Sequence, residues 1–108
     1  MNELEKSLMA DLLKICSKSK EFGYNSTRFL QMLAENGPIN TCRKLINTND
    51  INYASGFVRL WEARRLDLSM EYVVLQNQYR ELFTLSERQI CYRRLKECGF
   101  NCDNIIVE

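Results

Sequence analysis

The sequence predicts an all-α fold, a compact single-domain bundle of five or six short helices. Apolar residues recur at spacings of three and four in nearly every segment, as they do along one face of a helix. Capping residues and isolated glycines separate these segments. The chain has 108 residues, 45% of them hydrophobic, which suits one packed core. We expect one domain over 1–108, with an N-terminal amphipathic helix (1–22), a helical module (23–100) and a tail (101–108).

Caps and breakers mark the first three predicted helices. Asn2 can cap the first helix, which ends near Glu21. The second helix opens at Asn25 or Ser26 and stops at Asn36-Gly37-Pro38, because glycine suits the residue after a helix and proline suits the first turn of the next. The third helix covers about 38–47. Together the second and third have the outline of a helix-turn-helix.

The C-terminal half predicts three more helical elements. A fourth helix over about 51–65 turns an apolar face that includes Phe57, Leu60 and Trp61 into the core. Ser69 can cap a short fifth helix, and residues 76–83 form a turn or a short helical bend. Thr84-Leu85-Ser86-Glu87 is a capping box that opens the last helix.

The last helix and the tail also carry local signals. The helix ends at Cys98, where Gly99 is placed to stop it and Phe100 can fold back in a Schellman motif. The tail contains the apolar run 105–107, which we expect to dock on the bundle as an extended segment.

Composition argues against an enzyme. The chain has no histidine, the residue most often used as a general acid or base, and its four glycines are scattered, so no phosphate-binding loop is present. None of the five cysteines has an activating base or a C-x2-C partner. Asp67 and Glu71 lie one helical turn apart, and we interpret them as helix-capping acids. We therefore expect no catalytic residue, no cofactor and no metal.

The same composition predicts the compartment. An odd number of cysteines, four of them in predicted helices, indicates a reduced intracellular protein without disulfides. The first twenty residues alternate charged and apolar side chains and contain no signal-peptide core. No apolar run approaches the roughly 20 residues that span a bilayer. A soluble cytoplasmic protein without a membrane partner is the prediction.

Two stretches carry a resemblance to a known pattern. The first is Tyr24-Asn25-Ser26-Thr27-Arg28-Phe29-Leu30-Gln31-Met32-Leu33. The second begins with Gly56-Phe57-Val58-Arg59-Leu60-Trp61-Glu62 and continues through Arg65-Leu66-Asp67-Leu68-Ser69-Met70-Glu71 to Leu82-Phe83-Thr84. Together they resemble a small helical module of bacterial proteins, which occurs alone or after another domain. The resemblance implies no particular activity, but its setting among mobile elements and restriction-type neighbours implies a role in phage defence or counter-defence.

These observations predict a non-enzymatic bacterial or phage-type module that binds a macromolecule. Our specific hypothesis is a small protein that docks on a defence nuclease or a nucleoprotein and modulates it, in the manner of an anti-CRISPR inhibitor. Aromatic residues and arginine are common anchors of protein interfaces. The anchors chosen on this basis are Arg59, Arg64, Arg65, Tyr79 and Arg80. The chain is expected to act as a monomer or a homodimer.

The alternative is a helix-turn-helix regulator that binds DNA. The net charge is only +1, so a nucleic-acid surface requires a local cluster of cations. The third helix and the last helix each offer side chains able to reach bases or phosphates. These are Asn40, Thr41, Arg43, Lys44 and Asn47 on the third helix, and Arg88, Arg93 and Lys96 on the last.

Overall fold

The structure, a computed structural model, describes residues 2–107, and all the regular secondary structure among them is helical. Met1 and Glu108, the two ends of the predicted domain, lie outside this range. Five α-helices occur in the order α1 (Glu3–Ser19), α2 (Thr27–Asn47), α3 (Ile51–Glu62), α4 (Met70–Val74) and α5 (Leu85–Glu97). Short 3₁₀ segments at Lys20–Phe22, Leu66–Leu68 and Asn77–Leu82 connect them. The predicted all-α bundle is confirmed.

Helix α2 is bent where the sequence predicts a break between two helices. Gly37 has φ 81° and ψ 172°, a conformation essentially restricted to glycine, and Pro38 follows it directly. The Thr41 hydroxyl crosses the bend and donates a 3.0 Å hydrogen bond to the Met32 carbonyl. Counted on either side of Gly37, the bundle has six helical pieces, as predicted.

The core lies where α1, α2, α4 and α5 meet. Helix α1 packs against α2 and α4, and α5 packs against α4 and α2. Side chains from all four helices are fully excluded from solvent here, among them Leu8, Leu12, Cys42, Val74, Cys91 and Leu95. Helix α3 has fewer neighbours, since its main contact is with the Leu66–Leu68 segment. This peripheral position leaves a groove between α3 and the end of α5.

Both predicted caps of α5 are present. At its start, the Thr84 side chain accepts the Glu87 amide, and the Glu87 carboxylate accepts the Thr84 amide. At its end, the amides of Gly99 and Phe100 donate to the carbonyls of Lys96 and Leu95, which is the Schellman pattern. These local signals determine the two ends of the helix.

The tail is attached to the bundle by an arginine. The guanidinium of Arg88, which is almost completely buried, donates to the carbonyls of Ile106 and Val107 at 3.1 and 3.3 Å. It also donates to the Leu75 carbonyl at 3.1 Å. Arg88 was predicted to present its charge on a nucleic-acid surface, and its burial corrects that placement.

The end of α3 also differs from the prediction. The helix stops at Glu62 rather than near residue 65, because Arg64 adopts a left-handed conformation with φ 59°. Trp61, predicted to pack in the core with its neighbours Phe57 and Leu60, is 47% exposed. Of these three residues only Leu60 is fully buried. Part of the apolar surface of α3 therefore faces outward.

Candidate functional site

The groove between α3 and α5 consists of two hollows that lie end to end along α3. The first has a volume of about 290 Å³ and is lined by Ile51, Ala54 and Phe57 on its α3 side. The second has a volume of about 360 Å³ and is lined by Trp61 and Glu62. Cys98 lines both hollows, and we call the pair of hollows the α3–α5 groove. The rest of its lining comes from Leu45, Thr48, Asn49, Asp50, Tyr53, Arg64, Leu66, Glu71, Arg94, Glu97, Gly99, Phe100 and Asn101.

An exposed apolar stripe follows α3 beside this groove. Ile51 is 83% exposed, Val58 41% and Trp61 47%, and Ala54 is also exposed. Their spacing of three, four and three residues places them on one side of the helix. Single exposed apolar residues are ordinary in folded proteins, but a continuous stripe next to a concave surface is typical of an interaction site. We call these four residues the α3 stripe.

A buried polar network forms the floor of the first hollow. Glu71 is completely buried, and its carboxylate accepts the Tyr53 hydroxyl on one oxygen and Arg94 Nη1, at 3.0 Å, on the other. The Arg94 guanidinium also donates to the carbonyls of Leu45 and Ile46 at 3.3 and 3.0 Å. These are among the last carbonyls of α2, which lack partners within the helix. One arginine thus joins α5, α4 and the end of α2.

Burial dominates the protonation chemistry of this floor. It raises the pKa of Glu71, although the hydrogen bonds from Tyr53 and Arg94 act in the opposite direction. Burial and the nearby Glu71 carboxylate together raise the pKa of Tyr53 well above its ordinary value. Glu71 lies in the first turn of α4, where the sequence places it, and it also belongs to this buried network, which the sequence does not predict. Both carboxylate oxygens of Glu71 accept hydrogen bonds within the protein, so the network is suited to supporting the floor of the first hollow.

The rim of the groove carries mainly negative charge. Asp50, Glu62 and Glu97 lie along it, together with a single exposed cation, Arg64. Asp50 caps α3 by accepting the Tyr53 amide and also pairs with Arg28 at 2.5 Å. Glu62 and Glu97 are exposed and have no ion-pair partner among residues 2–107. Their charges are therefore available to a binding partner.

The five predicted protein-binding anchors do not form one site. Arg64 lines the second hollow of the groove. Arg65 pairs with Asp67 at 3.0 Å and lies 5.1 Å from the centre of the Phe22 ring. Arg59 is exposed and approaches Gly23, and Arg80 is exposed on the Asn77–Leu82 segment.

Tyr79 corrects the prediction made for it. Its side chain is fully buried, and its hydroxyl donates to Asp11 of α1 at 2.5 Å. Burial, with the Asp11 contact, raises its pKa. Tyr79 therefore anchors α1 within the bundle and is not available as an interface anchor.

Most of the predicted nucleic-acid residues of the third helix are buried or bonded to other residues of the protein. Thr41 was expected to face outward, but it is 0% exposed. Arg43 pairs with Glu87 at 3.4 Å and donates to the Leu82 carbonyl. Asn47 donates to the same Glu87 carboxylate at 3.0 Å. Only Asn40 and Lys44 of this set are exposed and make no side-chain hydrogen bond or ion pair among residues 2–107.

The remaining predicted cations gather on α5. Arg93 and Lys96 line an open hollow of about 480 Å³ together with Gln89, Tyr92, Glu97 and Val107. The Lys96 ammonium lies 5.5 Å from the centre of the Tyr92 ring. We call Tyr92, Arg93 and Lys96 the α5 patch. Arg88, the fourth residue of this predicted surface, is buried beneath the tail.

The cysteines are free and mostly buried. Cys16, Cys42, Cys91 and Cys102 lie in the core, and burial raises the pKa of each thiol. Cys98 is half-buried in the groove, and burial raises its pKa as well, with Glu97 and Glu71 adding to the effect. Thiols with raised pKa values are poor nucleophiles at neutral pH. Within residues 2–107 no group of three or more acids or cysteines converges as a metal site.

Sequence reasoning missed the two main features of the groove. The α3 stripe had a detectable signal, because Ile51, Ala54, Val58 and Trp61 repeat at helical spacing beside a second apolar face of the same helix. A helix at the edge of a bundle that is apolar on two faces can bury only one of them in the core, so the second face is left to contact a partner. The buried network had no such signal, since its members come from three separate elements.

Comparison with family models, with curated proteins and with solved structures finds no match for this chain. No helix among residues 2–107 is both long enough and apolar enough to cross a membrane.

Proposed function

We propose that this protein is a non-enzymatic module that binds another protein in the α3–α5 groove. The observation that carries the proposal is the α3 stripe, which leaves Ile51, Val58 and Trp61 exposed beside a groove. A few anchor residues supply most of the affinity in protein interfaces, and tryptophan is enriched among them, so we expect Trp61 to contribute most. The Arg64 side chain at the second hollow adds a hydrogen-bonding anchor of a kind that interfaces favour.

The chemistry of the polar groups supports binding rather than catalysis. Both oxygens of Glu71 accept hydrogen bonds from Tyr53 and Arg94, and the residue is completely buried, so its carboxylate is not presented to a reactant. The raised pKa of Cys98 likewise disfavours the thiolate that a nucleophile requires.

A defence nuclease or a nucleoprotein is the class of partner to test first. The resemblance of the Tyr24–Leu33 and Gly56–Thr84 stretches to a bacterial module found near restriction-type genes supports this choice. In the specific form of the proposal, the protein modulates such a nuclease, as an anti-CRISPR inhibitor does. The groove would then be the surface that contacts the nuclease.

Calorimetric titration against a panel of such nucleases tests the proposal. We expect binding at micromolar concentration or tighter, weakened about 30-fold by Trp61→Ser, which corresponds to the roughly 2 kcal/mol of an interface hot spot. Leu85→Ser is the matched control, because Leu85 is also an exposed apolar residue but does not line the groove. Arg64→Ala and Arg80→Ala form a second pair, of which only the first should weaken binding. Equal effects within each pair would contradict docking at the groove.

A DNA-binding regulator is the alternative, and the α5 patch is the observation that favours it. Arg93 and Lys96 beside the Tyr92 ring are suited to phosphate contacts with an adjacent stacking surface. This alternative predicts a gel shift with duplex DNA that weakens steeply with salt and with Arg93→Ala or Lys44→Ala. The absence of a shift at low salt would eliminate it.

A further inference from the structure

We infer that the occupant of the α3–α5 groove is an amphipathic helix with two apolar side chains about seven residues apart and lysine or arginine at its flanks. The inference rests on the proposed function and specifies the chemistry of the partner. It follows from the spacing of the hollows, the charge of the rim and the stiffness of the floor.

The spacing of the two hollows matches a helical repeat. On the α3 side, Ile51, Ala54 and Phe57 line the first hollow, and Trp61 and Glu62 line the second. The centres of these sets are about seven and a half positions apart, or about 11 Å at the rise of an α-helix. A partner helix that lies along α3 repeats the same face every seven residues, or about 10.5 Å. One apolar side chain of such a helix would then enter each hollow.

The charge on the rim determines which sign of charge favours a partner. Glu62 and Glu97 stand on opposite sides of the groove and are exposed, so both can meet cations on the flanks of a bound helix. The charge of Arg94 is offset by its ion pair with Glu71, and Arg64 is the remaining cation. Among the side chains that line the groove, negative charge therefore exceeds positive charge. It attracts a basic helix and repels an acidic one.

The floor is already ordered in the free protein. Tyr53, Glu71 and Arg94 hold one another, and Arg94 also holds the end of α2 through two carbonyls. A surface that does not need to be ordered on binding retains more of the interaction free energy as affinity. The first hollow can therefore accept an apolar side chain without rearrangement of the bundle.

The experiment is a selection from a display library of random peptides of about 16 residues, long enough to form a short helix. The 108-residue chain is the bait, and Ala54→Phe is the counter-selection bait, because an added ring at this exposed position fills the first hollow. We expect enriched peptides to carry two apolar residues seven apart with flanking lysine or arginine, and to lose binding to Ala54→Phe. Synthetic copies should change the fluorescence of Trp61, the single tryptophan of the chain.

Charge reversal provides the second arm. The Glu62→Lys/Glu97→Lys double variant should bind the selected peptides about tenfold more weakly at about 50 mM salt, and the difference should shrink at about 500 mM. Both substitutions place a cation at the end of a helix, which favours folding. The matched control is Glu35→Lys/Glu81→Lys, which reverses two exposed acids that do not line the groove.

The outcomes separate this inference from the proposed function. Peptides that require the open hollow but are acidic, or that bind as extended segments by circular dichroism, overturn the basic-helix inference and leave groove binding intact. The same holds if charge reversal has no effect. Failure to enrich any peptide that discriminates between the protein and Ala54→Phe overturns the inference; loss of the Trp61→Ser effect on nuclease binding separately overturns the proposed function.

Discussion

Gly56 illustrates how a single position can set the distance between two segments. A Cβ atom added there would lie 2.3 Å from two carbons of the Tyr24 ring, far inside contact distance. Only glycine lets α3 approach the Tyr24 ring this closely. The ring lies against the bundle, and burial raises the pKa of its hydroxyl to about 12. The absence of a side chain is therefore a packing requirement at this position.

We expect Gly56→Ala to destabilise the protein by about 1–3 kcal/mol, the usual cost of overpacking, even though alanine is the better helix former. Urea unfolding would measure the change. In a Tyr24→Ala background the clash is absent, so the same substitution should become neutral or stabilising. Ser55→Ala, at the exposed neighbouring position, is the control and should have little effect. A penalty that persists without the Tyr24 ring would contradict this account.

Arg94 and Arg93 are adjacent in sequence and opposite in role. Arg94→Ala would leave the buried Glu71 carboxylate without its ion pair and two carbonyls at the end of α2 without their donor. We expect a loss of about 3–5 kcal/mol in the free energy of unfolding, as for other broken buried pairs. Arg93→Ala, on the exposed α5 patch, should change it by less than about 0.5 kcal/mol. Similar losses for the two variants in thermal or urea unfolding would refute the assignment.

Among the elements, α5 is connected to α2 through the capping box at its first turn. Glu87 accepts the Thr84 amide to close the box, and the same carboxylate pairs with Arg43 and accepts a hydrogen bond from Asn47 of α2. Burial alone would raise the pKa of Glu87, but these hydrogen bonds and the Arg43 charge outweigh it and lower the pKa. A local motif thus also serves as a tertiary contact.

This contact predicts a pH dependence of stability. Because the pKa of Glu87 is lower in the folded protein, its stabilising contribution is complete above its ordinary value of about 4.5 and is lost as pH falls through the lowered value. Glu87→Gln keeps an oxygen that can accept the Thr84 amide but removes the negative charge. It should be less stable than the parent by about 1–2 kcal/mol at neutral pH, and the gap should close in acid. Glu81→Gln, an exposed substitution, should show no such gap in chemical unfolding at either pH.

At the scale of the whole molecule, the features that can be predicted from the sequence are those that depend on residues close together in the chain. The caps of α5, the bend at Gly37 and the all-helical class follow from local patterns and are confirmed. The floor of the groove does not, because Glu71 meets Tyr53 and Arg94 across separations of 18 and 23 residues. The exposure of Trp61 is also a tertiary outcome, since it depends on α3 standing at the edge of the bundle. Pairing of distant side chains cannot be obtained from periodicity alone.

Helix α1, predicted as a segment separate from the module over 23–100, belongs to the common core of the molecule. Leu8 and Leu12 of α1 are fully buried, and Asp11 accepts the Tyr79 hydroxyl across the bundle. We therefore expect residues 23–108 alone to fail to fold, because removal of α1 exposes the core to water. Circular dichroism and NMR spectra of this fragment would show loss of helix and of chemical-shift dispersion. A fragment that unfolds cooperatively would instead establish 23–108 as an independently folding unit.

The attachment of the tail has a consequence for sequence variation. Arg88 holds Ile106 and Val107 by their backbone carbonyls, and the Ile106 side chain projects into solvent. Every amino acid supplies the same carbonyl, so position 106 is free to diverge while the path of the chain is preserved. Arg88, which donates to these carbonyls, has no such freedom, because no other side chain offers the same planar set of donors. Among homologues, then, we expect Arg88 to be constant and the residue at position 106 to vary.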